Sequence, residues 1–356
     1  MLNTETPQEH MQKTMQQMRQ KQETEAKKRE AEAQKAREEE ARKQAWLQTP
    51  EGLFQQGLAS YKNEGDPLHI QGAETLFTQA AEKGSAEAYR YLGIMALNGQ
   101  LSDQQYSGSD YKKAMEYYQN AVDKGSADAL DNIGSLYLYG QGVFKDYTKA
   151  MEYFKKAADK GSASGAYDVG SMYHNGWGVP KNDEKVYGYF KQAAEKGWPK
   201  ALTLVGTMYA TGKGVPKDLT KAREYYQKAS DAGEAQGSYL LGTMYLRGEG
   251  GPKDSAKAIE YFKVASNGGY ARASLLLGEE FGTGQGDVPK DYDKAREYLE
   301  EAIKTEDKEV AGEAYWDLGL IYYKGYGVLV DKNKAAEYVK KSCDLGYEKA
   351  CTVLSK

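Results

Sequence analysis

Three histidines and two cysteines are all that this chain of 356 residues offers to most metal and nucleophilic chemistry. His10, His69 and His174 stand far apart, with no metal-ligand spacing and no Ser/His/Asp or Cys/His arrangement around them. No window approaches the roughly 18 apolar residues of a membrane-spanning helix. Met1 to Arg19 lacks the apolar core of a secretory leader. The expected compartment is therefore the cytoplasm if Met1 is the natural start, and the periplasm or exterior if a leader has been removed. Charge of one sign is also scarce: 48 Lys and Arg face 52 Asp and Glu, interspersed, for a net charge of −4. That excludes nucleic acid as the main partner, because phosphate binding needs a concentrated basic surface.

What the sequence does have is repetition. The stretch GTMYATGKGVPKD (206–218), followed by KAREYYQKASDAG (221–233), recurs along the chain. Its first glycine falls at Gly57, Gly93, Gly134, Gly170, Gly206, Gly242, Gly278 and Gly319, with 36 residues at five of the seven steps and 41 at the other two. A fixed period between about 20 and 50 residues marks a solenoid rather than two ordinary globular domains.

Each repeat reads as helix A, loop, helix B, turn. Counted from the marker glycine, helix A has constant positions at −5 (small), −1 (branched apolar), +2 and +3 (aromatic in most repeats). These fall on one helical stripe, which predicts the core face. Small residues at −5 and 0 allow neighbouring helices to approach closely, which offsets the cost of glycine in a helix, about 1 kcal/mol. A Gly-x-Gly loop ends helix A, as at Gly176/Gly178 and Gly284/Gly286. Helix B then starts at an N-cap: Asp110, Asp146, Asn182, Asp218, Asp254, Asp291 or Asp331. Paired core residues follow, such as Tyr153/Phe154 and Tyr225/Tyr226.

Departures from the pattern are informative. One long step carries an insertion at 101–109 between A and B. The other adds one residue near Asp287 and about four more at 304–309, one helical turn, which predicts a longer helix B in that repeat. The first repeat lacks the Gly-x-Gly loop and reads as a cap. Residues 1–45 differ in kind: they are rich in Glu, Lys, Gln and Ala, with Met11, Met15 and Met18 as one short apolar stripe. They read as a solvated helical arm, a coiled-coil spacer or a disordered tail, joined at Thr49-Pro50 to a solenoid over 46–356.

The run A-x-x-x-L-G-x-M-Y-x-x-G-x-G-V-x-K-D, with K-A-x-E-Y-F-x-K-A-A-x-K-G after it, resembles the Sel-1-like repeat family. Its tetratricopeptide relatives have units of about 34 residues, whereas the step here is longer and carries the Gly-x-Gly-Val loop. The resemblance covers residues 50–356. It implies an all-α, right-handed α-solenoid of about eight tetratricopeptide-like helix pairs, acting as a protein-binding scaffold or adaptor without enzymatic activity or cofactor. Two alternatives stand beside it. Some cysteine-rich relatives are labelled β-lactamases, a reading that would rest here on Ser109 and Lys112, although no Lys-Thr-Gly or Ser-Asp-Asn accompanies them. The other is structural, with residues 1–45 driving self-association. The cysteine-rich relatives also imply a disulfide between Cys343 and Cys351, eight residues apart. In an oxidising compartment the pair would clamp the last half repeat; in a reducing one it would be two buried thiols.

A partner is expected along helix A, which lines the concave side of stacked helical repeats. Positions −3, +1 and +4 vary from repeat to repeat. The candidate binding residues are Arg90, Tyr167, His174, Tyr239, Trp316 and Tyr323, types that carry interface energy. The competing reading packs several of them between neighbouring repeats. Gly282-x-Gly-x-Gly286 looks like a phosphate loop but follows a helix, so the repeat explains it.

Overall fold

The computed structural model describes residues 7–62, 67–102, 110–284 and 289–354. These form eighteen helices and no strand. Contacts gather the chain into two compact units, Met1–Ala129 with Gln141–Phe144, and Leu130–Gly140 with Lys145–Lys356. The first unit contains α1 (Pro7–Leu47), α2 (Pro50–Tyr61), α3 (Pro67–Glu82), α4 (Ala86–Leu97) and α5 (Tyr111–Asp123). Helix α6 (Ala127–Tyr139) opens the second, followed by α7 (Tyr147–Asp159), α8 (Ala163–Asn175), α9 (Asp183–Glu195), α10 (Pro199–Thr211) and α11 (Leu219–Asp231). Then come α12 (Ala235–Arg247), α13 (Ser255–Asn267), α14 (Ala271–Thr283), α15 (Tyr292–Ala302), α16 (Lys308–Lys324), α17 (Lys332–Asp344) and α18 (Glu348–Leu354). Even-numbered helices from α2 play the part of helix A and odd-numbered ones from α3 that of helix B. Within each unit consecutive pairs stack as in a solenoid.

Residues 7–47 are one helix, and its described side chains are exposed as far as Trp46. At the junction Thr49 caps α2: its hydroxyl oxygen accepts from the Gly52 N–H at 3.0 Å, with Pro50 in the first helical position. Every N-cap expected for helix B from α5 to α17 is in place, its side chain accepting from a backbone N–H of the first turn.

The marker glycine sets the distance between the two helices of a repeat. A Cβ added to Gly134 would stand 2.6 Å from the Phe154 ring, and one on Gly206 would stand 2.7 Å from that of Tyr226. The ring thus occupies the space a side chain would fill. These rings form the middle of the core: Tyr118, Phe154 and Phe262 are fully buried. The preceding member of each aromatic pair is not a core residue, contrary to expectation. Tyr153, Tyr189, Tyr225 and Tyr261 are half-buried and stack on the +3 tyrosine of their own repeat at 5.5–6.1 Å. A lysine from the start of helix B also lies near that tyrosine. Lys221 stands 5.4 Å from the Tyr209 ring centre and 3.4 Å from its N-cap Asp218, and Lys257 repeats the device over Tyr245. Such exposed pairs are screened by solvent and individually weak; their regularity comes from repetition.

The extra turn after Ala302 falls elsewhere than expected. Helix B of that repeat, α15, is the shorter element at 11 residues, and α16, the following helix A, has 17. Asp307 decides this: its carboxylate accepts from the N–H groups of Glu309 and Val310, and so starts the new helix early. The Gly-x-Gly loops close onto the preceding repeat, with Trp177 stacked on Tyr147 and Tyr326 on Tyr292.

The glycines give an internal contrast. Gly170→Ala would push a methyl to 2.6 Å from the Phe190 ring, and should destabilise by about 1–3 kcal/mol. Gly188→Ala in α9 meets nothing within 4 Å and should stabilise by about 0.5–1 kcal/mol. Urea unfolding of both variants checks this; equal effects would contradict the role given to the marker position.

Candidate binding face on the A helices

The six candidate residues do not form one exposed patch. In the first unit, Arg90 is largely covered: its guanidinium pairs with Glu87 at 2.7 Å and lies 4.8 Å from the Tyr91 ring centre. In the second unit, the −3 aromatics are half-buried between successive repeats. Tyr167 packs on Phe190 at 5.4 Å and on Trp198 of the next repeat at 6.2 Å. Tyr239 meets Phe262 and Tyr270 in the same way, at 5.8 and 4.9 Å, and Trp316 meets Tyr347 at 6.1 Å. Thr203 and Leu275, at −3 of α10 and α14, are buried. The −3 row is therefore a seam. The two +4 candidates, His174 and Tyr323, are exposed, Tyr323 by 54%. Leu320, one turn earlier at +1 of α16, is 37% exposed beside it.

The same face carries a cavity that the sequence did not announce. It measures about 380 Å³ and is lined by residues of α14, α15, α16 and the loop after α16, among them Glu279, Glu280, Gly282, Asp317, Leu320 and Tyr326. Glu280 corrects the expectation that +2 is a core position in every repeat. Met95, Leu136, Met172, Met208, Met244 and Ile321 hold that position in the other repeats from α4 on and are buried, while the first repeat has the exposed Ala59 there. A break in an otherwise apolar row was the legible signal. Gly282, where other repeats carry Leu246 or Tyr323, leaves the space open. Of the phosphate-loop lookalike, Gly282 and Gly284 end α14 and Gly286 lies outside the described residues. Ser109 lies outside them too.

Burial is the main reason the carboxyl groups at the cavity hold their protons more firmly than usual. Together with the Glu279 and Glu313 carboxylates it pushes Asp317 up to about 7, against an opposing pull from Lys349. Burial, then Glu313 and Glu280, also raises Glu279, and burial raises Glu280. A second acidic pair lies on α6 and α8. Burial pushes Asp168 up to about 6, opposed by its hydrogen bond with Asp131. Among the described residues no group of His, Cys, Asp and Glu is arranged to hold a metal ion, and no helix is long and apolar enough to cross a membrane. Cys343 on α17 and Cys351 on α18 are joined in a disulfide, with Cα atoms 4.7 Å apart.

These shifts fix the direction of a pH effect. Folded Asp317 holds its proton up to about 7, whereas in the unfolded chain it ionises near 3.8. Between those values the folded state binds more protons, so this group's contribution to stability falls as pH rises through the window. Asp317→Asn should raise the melting temperature in alkaline buffer, and the gain should shrink as pH falls toward the ordinary carboxylate range. A melting temperature lowered equally at all pH values would contradict this account of Asp317.

Comparisons with known proteins agree with the architecture. The Sel1 repeat family model matches residues 86–126, 127–162, 163–198, 199–234, 235–270, 271–304 and 312–347, well over half of the chain. The pair α2–α3 lies outside these matches. Among solved structures, c5321, a protective antigen present in uropathogenic Escherichia coli strains and displaying an SLR fold, is 26% identical with a TM-score of 0.64. That match covers 88% of this chain and 65% of the antigen, so the chain spans just under two thirds of the antigen's length. A Sel1 repeat protein from Oxalobacter formigenes is 27% identical with a TM-score of 0.61, over 89% of each chain. No curated protein sequence matches. Sel1 repeat proteins are typically non-enzymatic scaffolds whose repeats mediate protein–protein interactions. By its period, its loops and its packing, as by these matches, the chain belongs to the Sel1 repeat family.

Proposed function

We propose that the chain is a protein-binding scaffold that takes a peptide or protein segment along the exposed part of the helix-A face of its second unit. One observation carries this reading: the face divides into a packed seam and a free surface. The −3 aromatics spend their area on neighbouring repeats, while His174, Leu320 and Tyr323 present theirs to solvent. The free positions also differ in chemistry from one repeat to the next, which is what a specific partner needs and what packing alone does not. Aromatic and large apolar side chains on such a surface are the types that anchor interfaces.

The division also decides which variants can test the reading. Alanine at Tyr167, Tyr239 or Trp316 would remove seam packing and confuse lost binding with lost stability. Leu320→Ser with Tyr323→Ala changes exposed side chains only, and Phe144→Ser alters an exposed loop residue as a control. With the full chain as bait in extract of its own source cells, a specific partner should be captured by the parent and the loop variant. It should be lost by the face variant. Retention by the face variant with loss by the loop variant would move the site off helix A.

A further inference from the structure

The repeat provides its own control for the cavity between α14 and α16. Helix α14 departs from its siblings three times within one turn. At +1 it has Glu279, where the preceding repeats carry Ile94, Ser135, Ser171, Thr207 and Thr243. At +2 it has Glu280 in place of a buried methionine or leucine, and at +4 it has Gly282. None of these helps the fold. Carboxylates drawn out of water without a close counter-ion cost stability. Lys349 pulls Asp317 and Glu279 down, Arg272 acts on Glu279 and Lys253 on Glu280, but burial outweighs these cations at all three carboxylates.

Gly282 is the telling residue. A glycine inside a helix costs about 1 kcal/mol, so it needs a reason. The marker glycines have one, because a ring fills the place of their side chain. At Gly282 an added Cβ would meet only the Cβ of Ala295, at an ordinary 3.6 Å, and the backbone has no left-handed φ. Neither packing nor backbone requires glycine there. Its effect is to keep the cavity open beside Glu279, Glu280 and Asp317, against a wall made by Tyr326 and Tyr292, whose rings stack 4.8 Å apart.

We propose that this cavity receives the ammonium or guanidinium group of a lysine or arginine side chain on the partner polypeptide, with Glu279, Glu280 and Asp317 supplying the countercharge. The inference rests on the protein-binding reading and narrows it to the chemistry of one anchor. The stem of such a side chain is apolar and its head is charged, which matches a pocket whose Leu320, Ile321 and Tyr326 surround carboxylates. A cation placed among these carboxylates would also favour their charged forms, against the burial that raises Glu279 and Asp317.

The test is selection of a phage-displayed library of random dodecapeptides on the full chain, followed by affinity measurement against two variants. Glu279→Gln with Glu280→Gln and Asp317→Asn removes the charge and keeps the shape. Gly282→Leu fills the cavity and keeps the charge. Circular dichroism should show both folded, the first at least as stable as the parent. Selected peptides should be enriched in Lys and Arg, and each variant should weaken their binding by about tenfold or more. Peptides without basic enrichment, or ones that bind both variants as tightly as the parent, would overturn the pocket while leaving peptide binding intact. Failure to select any peptide would count against both.

Discussion

The fold depends on one contact made again in every repeat: an aromatic or branched side chain of helix B against a bare glycine of helix A. Phe77 on Gly57, Tyr118 on Gly93, Phe190 on Gly170 and Leu299 on Gly278 are the same contact. Removing the Cβ at one position lets a large ring bury fully, and a buried ring of this kind is worth about 1.5–3 kcal/mol, more than the glycine costs in the helix. The other regular features follow from it. With the two helices held this close, the +3 tyrosine can reach the first aromatic of helix B, and the first-turn lysine comes within 5.4 Å of its ring centre. The N-cap aspartate both starts helix B and holds that lysine.

A scheme so repetitive leaves little freedom, so its exceptions carry meaning. Where the repeat keeps to its rule, side chains at −3 close the gap to the next repeat, as Tyr239 does on Tyr270. Where it departs, in α14, the result is a cavity and a set of carboxylates that the fold would be more stable without. Sites of this kind trade stability for recognition. The acidic pair Asp131 and Asp168 shows that buried carboxylates on helix A are not confined to α14, but α14 is where they line open space.

Much of this was legible in the sequence, for physical reasons. The 36-residue step, the glycine pairs of the loops and the aspartate caps are local signals, fixed by backbone conformation and first-turn hydrogen bonds. They gave the helix order and nearly every boundary. What was not legible depended on neighbours. An added turn at 304–309 could extend either flanking helix, and only the Asp307 cap settles which. Whether Tyr167, Tyr239 and Trp316 face solvent or the next repeat turns on residues about 30 positions away, namely Trp198, Tyr270 and Tyr347. Glu280 was in plain view, but a row taken to be uniformly apolar concealed it.

The central claim is that the free part of the helix-A face in the second unit, and not helix B, meets the partner. Site-specific photo-crosslinking addresses it directly. Leu320 on α16 and Val264 on α13 are exposed to similar degrees, 37% and 47%, one on an A helix and the other on a B helix. A benzophenone amino acid at each position, in the full chain within its source cells, reports which surface a partner covers. The account predicts a discrete cross-linked partner from position 320 and none from position 264. The same partner cross-linked from position 264 alone would contradict it.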